Sequence, residues 1–480
     1  MKVALVMPSW LPEDIFPTKT AKAQVNYWQP LGVLYVAAAL REAGHKVRFF
    51  DGSFLNHREV IDRIRGFKPE VVGIYANTPL WPKAVKTARD VKRVSDATVF
   101  VGGPYPSAMG RRALEKQGDI DALVVGEGEI TMCRALERLE RGHTLEGVRG
   151  IVYRDGERVV SNPPRKPIED LDSLPFPARD LLEDKNLYVP PAGTYRRKPV
   201  AIVMTSRGCN ARCIYCYQLT GERRIRYRSV DNVLAEIEEC VEQGYREIRF
   251  LDDTFCGDYS RAKRIAQEMR RRGLDVTWFV SARVNQVDYE LLRTFRGAGC
   301  WAIFFGAESG VQKNLNAIKK GITLEQTRRA VRAAKKAGLR VVTAFIFGIP
   351  GETYEEALRT IDFAIELDPD FVNFHTMTPF PGTELYERAS ELGHASHRLE
   401  DFTFEGAAFI PRTMTKEQIE ELRRIAFRRF YSRPRYILRR ILGIRTLDDM
   451  KLITRGLKSL FWIWVREDVF RVAGSRNPNR

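Results

Sequence analysis

The sequence predicts an α/β protein: a doubly wound parallel sheet, then a partial (β/α)6 barrel, then a helical C-terminal region. Three observations support this fold class. Short runs rich in β-branched residues alternate with amphipathic stretches, as they do in βαβ units. Prolines interrupt the alternation between residues 151 and 195, and no strand pattern follows residue 388. The chain of 480 residues is 44% hydrophobic and 29% charged, which excludes disordered and fibrous classes.

Residues 1–150 form the first predicted domain. A helix is expected over Leu31–Glu42, where Gly44 marks the end. Ligands of doubly wound sheets bind beyond the carboxyl ends of the strands, so the loops 77–79, 102–104 and 126–129 are candidate binding loops. The predicted strands are Lys2–Pro8, Lys46–Asp51, Val71–Ala76, Ala97–Val101 and Ala122–Val125.

Residues 151–195 are expected to be an extended linker, because proline pairs recur in them. Residues 196–387 form the second predicted domain, with six βα units. Six units suit a partial TIM-like barrel better than a closed barrel of eight strands. The predicted strands are Val200–Thr205, Glu247–Leu251, Val276–Val280, Trp301–Phe305, Val341–Phe347 and Phe371–Thr376.

Residues 388–480 are predicted to be helical and basic, with a break at Pro434. The net charge of the chain is +17, and nine arginines without one acid lie between Leu422 and Leu447. Basic amphipathic helices with tryptophan suit an anionic membrane surface, whereas the alternatives are a solvated face or packing on the barrel. Three apolar faces are expected: Leu422, Ile425, Ala426 and Phe430; Ile437, Leu438, Ile441 and Leu442; Ile453, Leu457, Leu460, Phe461 and Trp464.

Three of the seven cysteines, Cys209, Cys213 and Cys216, stand close together in one predicted loop. Thiolates at this spacing can bind separate irons of an iron–sulfur cluster. Three ligands leave one iron of a four-iron cluster open to a small molecule. Zinc is the rival metal, but no fourth cysteine or nearby histidine completes a tetrahedral site. An odd number of cysteines favours reduced thiols, and the apolar N-terminal run is too short for a signal peptide, so a cytoplasmic location is expected.

The Cys-x3-Cys-x-aromatic-Cys motif after a strand resembles the radical S-adenosylmethionine (SAM) superfamily. The resemblance implies a [4Fe-4S] cluster on the three cysteines, SAM on the open iron, and reductive cleavage of SAM to a 5′-deoxyadenosyl radical. The resemblance further implies SAM contacts after successive barrel strands, from Tyr215, Asp252, Asp253, Ser281, Arg283 and Glu308. A structural ion pair between Arg283 and Glu308 is the alternative for those two residues.

Residues 1–150 resemble the Rossmann-like cobalamin-binding domain that precedes many radical SAM domains. The resemblance implies cobalamin contacts in the three loops, from Thr78, Gly102, Gly103, Gly126, Glu127 and Gly128. The Asp-x-His-x-x-Gly motif through which some cobalamin proteins bind cobalt is absent. Cobalamin is therefore expected to bind without a histidine ligand.

Together these features predict an enzyme that modifies an unactivated carbon, either by C-methylation or by ring-forming or rearranging chemistry. The basic tail favours a lipid or another hydrophobic substrate, and possible contact with the inner face of the membrane. A reductase or ferredoxin-type protein is the expected electron donor. Two alternatives stay open: a radical SAM enzyme that modifies RNA, and a corrinoid or iron–sulfur carrier or sensor without catalysis. Nucleic acid ranks below lipid, because the chain lacks early cluster cysteines and a terminal β-barrel pattern.

Overall fold

A seven-stranded sheet, in the order β2-β1-β3-β4-β5-β6-β7, forms the N-terminal domain. The computed structural model describes residues 1–11, 27–190, 194–219, 221, 223–396, 398–403 and 406–442. The first five strands pair in parallel, and the strand order reverses between β1 and β3. These strands are β1 Lys2–Met7, β2 Lys46–Asp51, β3 Val71–Tyr75, β4 Thr98–Gly102 and β5 Ala122–Val124.

Helices cover both faces of this sheet, which confirms the doubly wound prediction. Apolar residues of β1, β3 and β4 are buried on each face in separate clusters. Ligands of such sheets bind at the carboxyl ends of the strands. The helices are Leu31–Glu42, His57–Phe67, Trp81–Val94, Pro104–Met109, Arg111–Leu114 and Gly128–Glu140.

The predicted linker needs a correction at its start. The strands β6 Ile151–Asp155 and β7 Arg158–Ser161 extend the first sheet in antiparallel pairing. Gly156, with φ 58°, allows the tight turn between them. The hairpin was missed because the prolines that follow dominate the local pattern. The connecting segment after Ser161 contains only short 3₁₀ turns among its described residues.

The second sheet has six parallel strands in the order β15-β14-β13-β12-β11-β8. This order agrees with the predicted partial (β/α)6 barrel. Helices connect the strands on the outer side: Val230–Glu242, Tyr259–Arg271, Tyr289–Gly297, Gln312–Ala317, Leu324–Lys336 and Tyr354–Leu367. The strands are β8 Val200–Val203, β11 Glu247–Phe250, β12 Thr277–Ala282, β13 Cys300–Glu308, β14 Arg340–Phe347 and β15 Phe371–Thr376.

The N-terminal domain covers the free edge of β8. The side-chain oxygen of Gln29 accepts a hydrogen bond from the Ile202 N–H at 3.0 Å, and its amide donates to the Tyr245 hydroxyl at 3.1 Å. Gln29 is buried, and it satisfies an edge-strand N–H that the open barrel would leave without a strand partner. The two domains therefore meet along the open side of the barrel.

The region after residue 388 packs on the barrel through the helix Lys416–Tyr431. Its apolar face is buried in the main barrel core, through Leu422, Ala426 and Phe430, so the packing alternative holds for the first predicted face. A short antiparallel pair, β16 Gly393–Ala395 and β17 Phe409–Pro411, corrects the expectation of no strand here. The strands were missed because each has only three residues.

The second predicted apolar face lies on the helix Pro434–Leu442 and is largely exposed; Leu442, for example, is 75% exposed. Asp368 of the barrel accepts hydrogen bonds from Arg439 of this helix and from Arg433, which lies just before it. The third face, from Ile453 to Trp464, lies outside the described residues. In the described part, no helix is both long enough and apolar enough to cross a membrane.

Candidate active site at the barrel mouth

The cysteine loop follows the short strand β9 Ser206–Arg207, which pairs with β10 Arg226–Tyr227. Gly208 adopts φ 90°, and a Cβ there would lie 2.4 Å from the Arg224 carbonyl oxygen, so the loop entrance requires glycine. Further along, the Ile214 N–H donates to the Ile318 carbonyl at 3.2 Å. The Gln218 amide donates to the Cys209 carbonyl at 2.8 Å. The loop is thus held across the carboxyl ends of the barrel strands.

The three cysteines of this loop are free thiols. The Arg283 guanidinium lies 4.0 Å from the Cys213 sulfur. Burial raises the pKa of the Cys209 thiol, and the nearby Asp253 and Cys213 add to the rise. The thiolates therefore need a compensating cation, which the irons of a cluster would supply. Among the described residues, no three His, Cys, Asp or Glu side chains converge on a single metal ion, and a cluster does not require this, because its irons are separate.

Glu308, at the end of β13, faces the cysteine loop. Its backbone has φ 63°, in the left-handed region, where the register between β13 and β14 shifts. The buried carboxylate accepts a hydrogen bond from the Lys320 ammonium at 2.6 Å. Burial raises the pKa of the Tyr215 hydroxyl, and the hydrogen bond to Glu308 and its charge contribute. Tyr215, Glu308 and Lys320 thus form one polar group beside the cysteines.

The proposed structural ion pair between Arg283 and Glu308 is not formed. Glu308 pairs with Lys320, and Arg283 donates to the carbonyl oxygen of Lys320. Sequence reasoning missed Lys320, because it lies in a loop after a short helix and matches no motif. Lys320 thus contacts both residues at the mouth of the barrel: its ammonium pairs with Glu308, and its carbonyl oxygen accepts a hydrogen bond from Arg283.

Asp252 and Asp253 both follow β11, but they face different partners. Asp252 is buried, and one of its oxygens accepts hydrogen bonds from the Thr205 N–H, the Thr205 hydroxyl and the Ser206 hydroxyl. Burial raises the pKa of Asp252 to about 6. This oxygen of Asp252 is thus hydrogen-bonded to the end of β8, whereas the other oxygen is buried without a hydrogen-bond partner among the described residues. Asp253 accepts a hydrogen bond from the Gly208 N–H at 3.1 Å, directly before Cys209.

Ser281 lies on β12, two residues before Arg283, and is half-buried. Residues two apart on a strand point to the same face, so Ser281 lines the barrel interior below Arg283. Of the predicted SAM contacts, the structure brings together Tyr215, Arg283 and Glu308 beside the cysteines. Asp253 adjoins the loop backbone, and Ser281 lies deeper in the barrel.

The glycine loops of the first sheet differ in their backbone angles and in their contacts. Gly103 has φ 116°, and a Cβ there would lie 2.5 Å from the Ala76 carbonyl oxygen, so the close approach of two strand ends requires glycine. Gly126 has φ 85° with open space around it, and its N–H donates to the Ser107 hydroxyl at 3.0 Å. Gly128 begins the helix Gly128–Glu140. Thr78 is buried, and Gly102 is the last residue of β4.

Glu127 forms ion pairs that the sequence did not indicate. Its buried carboxylate accepts hydrogen bonds from Arg207 at 2.9 Å and from Arg226 at 2.9 and 3.1 Å. The Ile168 N–H also donates to it at 2.7 Å. Burial alone would raise the pKa of Glu127, but these two arginines outweigh it and lower the pKa. The carboxylate therefore joins the first sheet to the strands that flank the cysteine loop.

The carboxyl edge of the first sheet meets the cysteine loop at Tyr217. Burial raises the pKa of the Tyr217 hydroxyl to about 12, and the nearby Ser107, on the helix after β4, opposes the rise. A Cβ on Gly382 would lie 2.7 Å from the Tyr217 ring and 3.0 Å from Ala108. The loop after β15, the cysteine loop and the first sheet thus converge at one place. A ligand at the sheet edge would lie next to the cysteines.

Comparisons with known proteins agree with this arrangement. The model of the B12 binding domain matches residues 21–136, and that of the radical SAM superfamily matches residues 203–364. An uncharacterised methyltransferase of Pyrococcus horikoshii is 36% identical over 92% of this chain and 95% of its own. The chain belongs to the radical SAM superfamily. This radical SAM protein is also 32% identical to the anaerobic magnesium-protoporphyrin IX monomethyl ester cyclase of Rubrivivax gelatinosus, over 84% of this chain and 74% of that one.

The fold of the radical SAM protein matches a solved structure as well. The radical SAM methyltransferase TsrM from Kitasatospora setae, with cobalamin and a [4Fe-4S] cluster bound, superposes with a TM-score of 0.67. The sequences are 22% identical, and the match covers 87% of this chain and 84% of that one. Both predicted domain types, and the prediction of a radical SAM enzyme, are thus confirmed. The alternative of a carrier or sensor without catalysis is not supported.

Family membership implies the three predicted cofactors, a [4Fe-4S] cluster, SAM and cobalamin. The residues fit the first of them: Cys209, Cys213 and Cys216 would hold the cluster and leave one iron for SAM. When bound, the cluster supplies the electron for reductive cleavage of SAM. In the protein itself, Asp253 and Gln218 are hydrogen-bonded to the loop backbone, and a cation, Arg283, lies beside Cys213.

Proposed function

We propose that this enzyme modifies an unactivated carbon of a hydrophobic substrate, by C-methylation or by ring-forming or rearranging chemistry, with SAM and cobalamin at adjacent sites. The observation that carries the proposal is the close approach of the Tyr217 ring, Gly382 and Ala108, which brings the cysteine loop to the carboxyl edge of the first sheet. The names of the relatives, a methyltransferase and a cyclase, support both reaction types.

SAM would lie between the cysteines and the polar group of Tyr215, Glu308 and Lys320. The Arg283 guanidinium suits the carboxylate of SAM, because charge-assisted pairs of this type are strong. The Glu308 carboxylate suits the ribose hydroxyls, with Lys320 fixing its orientation at 2.6 Å. Tyr215 suits the adenine ring. Asp252 stays a predicted contact through its second oxygen, which has no hydrogen-bond partner among the described residues.

Cobalamin would lie at the carboxyl edge of the first sheet, over the loops 77–79, 102–104 and 126–129. The open space at Gly126 supports close approach of a large flat ligand there. Glu127 stays a predicted contact, although its carboxylate is ion-paired with Arg207 and Arg226. Because the sequence offers no histidine motif, reconstituted enzyme should show a cobalamin spectrum without histidine coordination. An enzyme that turns over but takes up no cobalamin would contradict this site.

A peripheral membrane contact is proposed for the helix Pro434–Leu442. Its support is the exposed apolar group of Leu438, Ile441 and Leu442. Arg439 and Arg440 form ion pairs with the barrel, which reduces their attraction to anionic lipids. Flotation with anionic vesicles should decrease when the three apolar residues are replaced by serine. Binding that is unchanged by these replacements, or binding of RNA with a steep salt dependence, would contradict it. The electron donor and the cytoplasmic location stay predictions.

The reaction type can be read from product masses. Anaerobically reconstituted enzyme should be incubated with SAM, cobalamin and a lipid extract. A gain of one methyl group indicates methylation, and a loss of hydrogens indicates ring formation. The Cys209→Ala variant should give neither product, whereas Cys133→Ala, in a helix of the first domain, should behave as the wild type. Products that also form with Cys209→Ala would contradict the proposal.

A further inference from the structure

The interior of the barrel contains a cation, Arg249, among apolar side chains. On β11, Ile248 and Phe250 point outward into the main core. Glu247 and Arg249 alternate with them and point inward. Leu251, the next inward position, is 46% exposed, an unusual state for a leucine in a barrel. The space above Arg249 is therefore open toward the mouth.

Glu247, two residues before Arg249 on β11, does not form an ion pair with it. Glu247 accepts hydrogen bonds from the backbone N–H groups of Arg196 and Arg197, at 2.7 and 2.8 Å. The Thr277 hydroxyl and the Trp301 indole donate to it at 2.8 and 2.9 Å. Glu247 thus closes the floor of the barrel with four hydrogen bonds, none of which comes from Arg249.

Arg249 itself is nine-tenths buried, with 9% of its surface exposed. Its guanidinium carbon lies 3.3 Å from the centroid of the Phe279 ring and 5.7 Å from that of Trp28. Among the described residues, Nε and Nη1 have no hydrogen-bond partner, although both are buried. Burial lowers the pKa of Arg249 to about 9, and the charge of Glu247 opposes this shift only in part. Buried cations in proteins normally have an anionic partner.

We propose that Arg249 binds a carboxylate or phosphate group of the substrate. The proposal rests on the function proposed above and narrows its substrate class. A guanidinium binds such oxyanions through two parallel N–H groups, and the rings of Phe279 and Trp28 hold its plane in place. Sequence reasoning had no signal for this residue, because a single arginine in a strand matches no motif.

The position of Arg249 sets the shape of the substrate. β11 ends at Phe250, and Asp253, beside the cysteine loop, follows Arg249 by four residues, so Arg249 lies below the mouth of the barrel. Leu251 and the half-buried Phe304 lie on the inward face between these levels. The substrate is therefore an amphiphile with an anionic end at Arg249, an apolar middle part, and its reacting carbon near the mouth. A neutral hydrocarbon would leave the guanidinium without a partner.

Small aromatic probes test the proposal on the reconstituted full chain. Benzoate and phenyl phosphate carry the two oxyanions, and benzamide is the neutral control of the same shape. At least one anion should bind measurably in calorimetry, and benzamide should bind at least about tenfold more weakly. Whichever anion binds more tightly identifies the group. Arg249→Met should lose about tenfold to a hundredfold in anion affinity, and Arg249→Lys should lose less. Arg197→Met, near the floor but paired with Asp275, should bind as the wild type.

A stability measurement separates a binding role from a structural one. Without a probe, Arg249→Met should unfold at the same or a higher temperature, since it removes an unpaired buried charge. The proposal would be overturned if the wild type bound neither anion, or bound benzamide as tightly as the anions. It would also be overturned if Arg249→Met kept its anion affinity or unfolded at a lower temperature than the wild type. Cleavage of SAM without a probe is measured in parallel. If the enzyme does not cleave SAM, the proposed function is contradicted. The results with the anions test only the role of Arg249.

Discussion

Replacing Glu127 by glutamine tests whether this residue joins the two domains or contacts cobalamin. The side chain keeps its size but loses its charge. In the wild type, the carboxylate accepts three hydrogen bonds from Arg207 and Arg226 and one from the Ile168 N–H. After the change, Arg207 keeps Glu129, at 2.6 Å, but Arg226 loses the carboxylate that it pairs with.

The expected loss of unfolding free energy in Glu127→Gln follows from the burial of the ion pair. Removal of one partner of a buried ion pair costs about 3–5 kcal/mol, because the other charge stays buried. Glutamine keeps one acceptor oxygen, so we expect the lower end, about 3 kcal/mol of unfolding free energy. Glu129→Gln is the matched control, because it removes a single contact and leaves Arg207 with Glu127. It should cost about 1.5 kcal/mol.

Urea unfolding followed by circular dichroism measures both variants, and a cobalamin titration is run beside it. Because the pKa of Glu127 is lowered in the folded protein, its contribution is present above the ordinary glutamate range and is lost as the pH falls. The difference between wild type and variant should therefore shrink in acid. Unchanged stability together with a tenfold loss of cobalamin affinity would refute the reasoning and make Glu127 a cofactor contact.

Three further predictions follow from the same structure. Glu308→Gln should weaken SAM binding about tenfold to a hundredfold in calorimetry, or about 1.5–3 kcal/mol, and an unchanged affinity would make its pair with Lys320 purely structural. Burial raises the pKa of Glu352 to about 8, so its contribution to stability is present at low pH and is lost as the pH rises through about 8. The unfolding temperature of Glu352→Gln should therefore fall less between pH 5 and 9 than that of the wild type. An equal fall in both proteins would contradict this. Gly103→Ala should cost about 1–3 kcal/mol in urea unfolding, because φ is 116° and Ala76 is close, and a variant as stable as the wild type would show that the strand ends can move apart.

Local patterns explain how much of the fold could be predicted. Alternation of apolar residues is a short-range signal, and it located eleven parallel strands of the two sheets and the helix Leu31–Glu42. The spacing of the three cysteines is equally local, and so the loop was recognised from the sequence. The hairpin β6–β7 was missed, because prolines that follow it favoured an extended segment.

The site residues that could not be predicted depend on contacts between distant segments. Glu127 meets Arg207 and Arg226 only because the first sheet docks on the barrel, 80 and 99 residues further along the chain. Lys320 reaches Glu308 across a loop, and Asp252 turns toward the end of β8. No pattern within one element encodes such pairings, since tertiary packing decides them.

We propose that Cys209, Cys213 and Cys216 hold the cluster at which SAM is cleaved. The most direct test measures 5′-deoxyadenosine after anaerobic reconstitution and reduction, for the wild type, for the variant with all three cysteines replaced by alanine, and for Cys133→Ala as control. We predict a brown protein and 5′-deoxyadenosine for the wild type and the control, and neither for the triple variant. A triple variant that still carries a four-iron cluster and cleaves SAM would contradict the account.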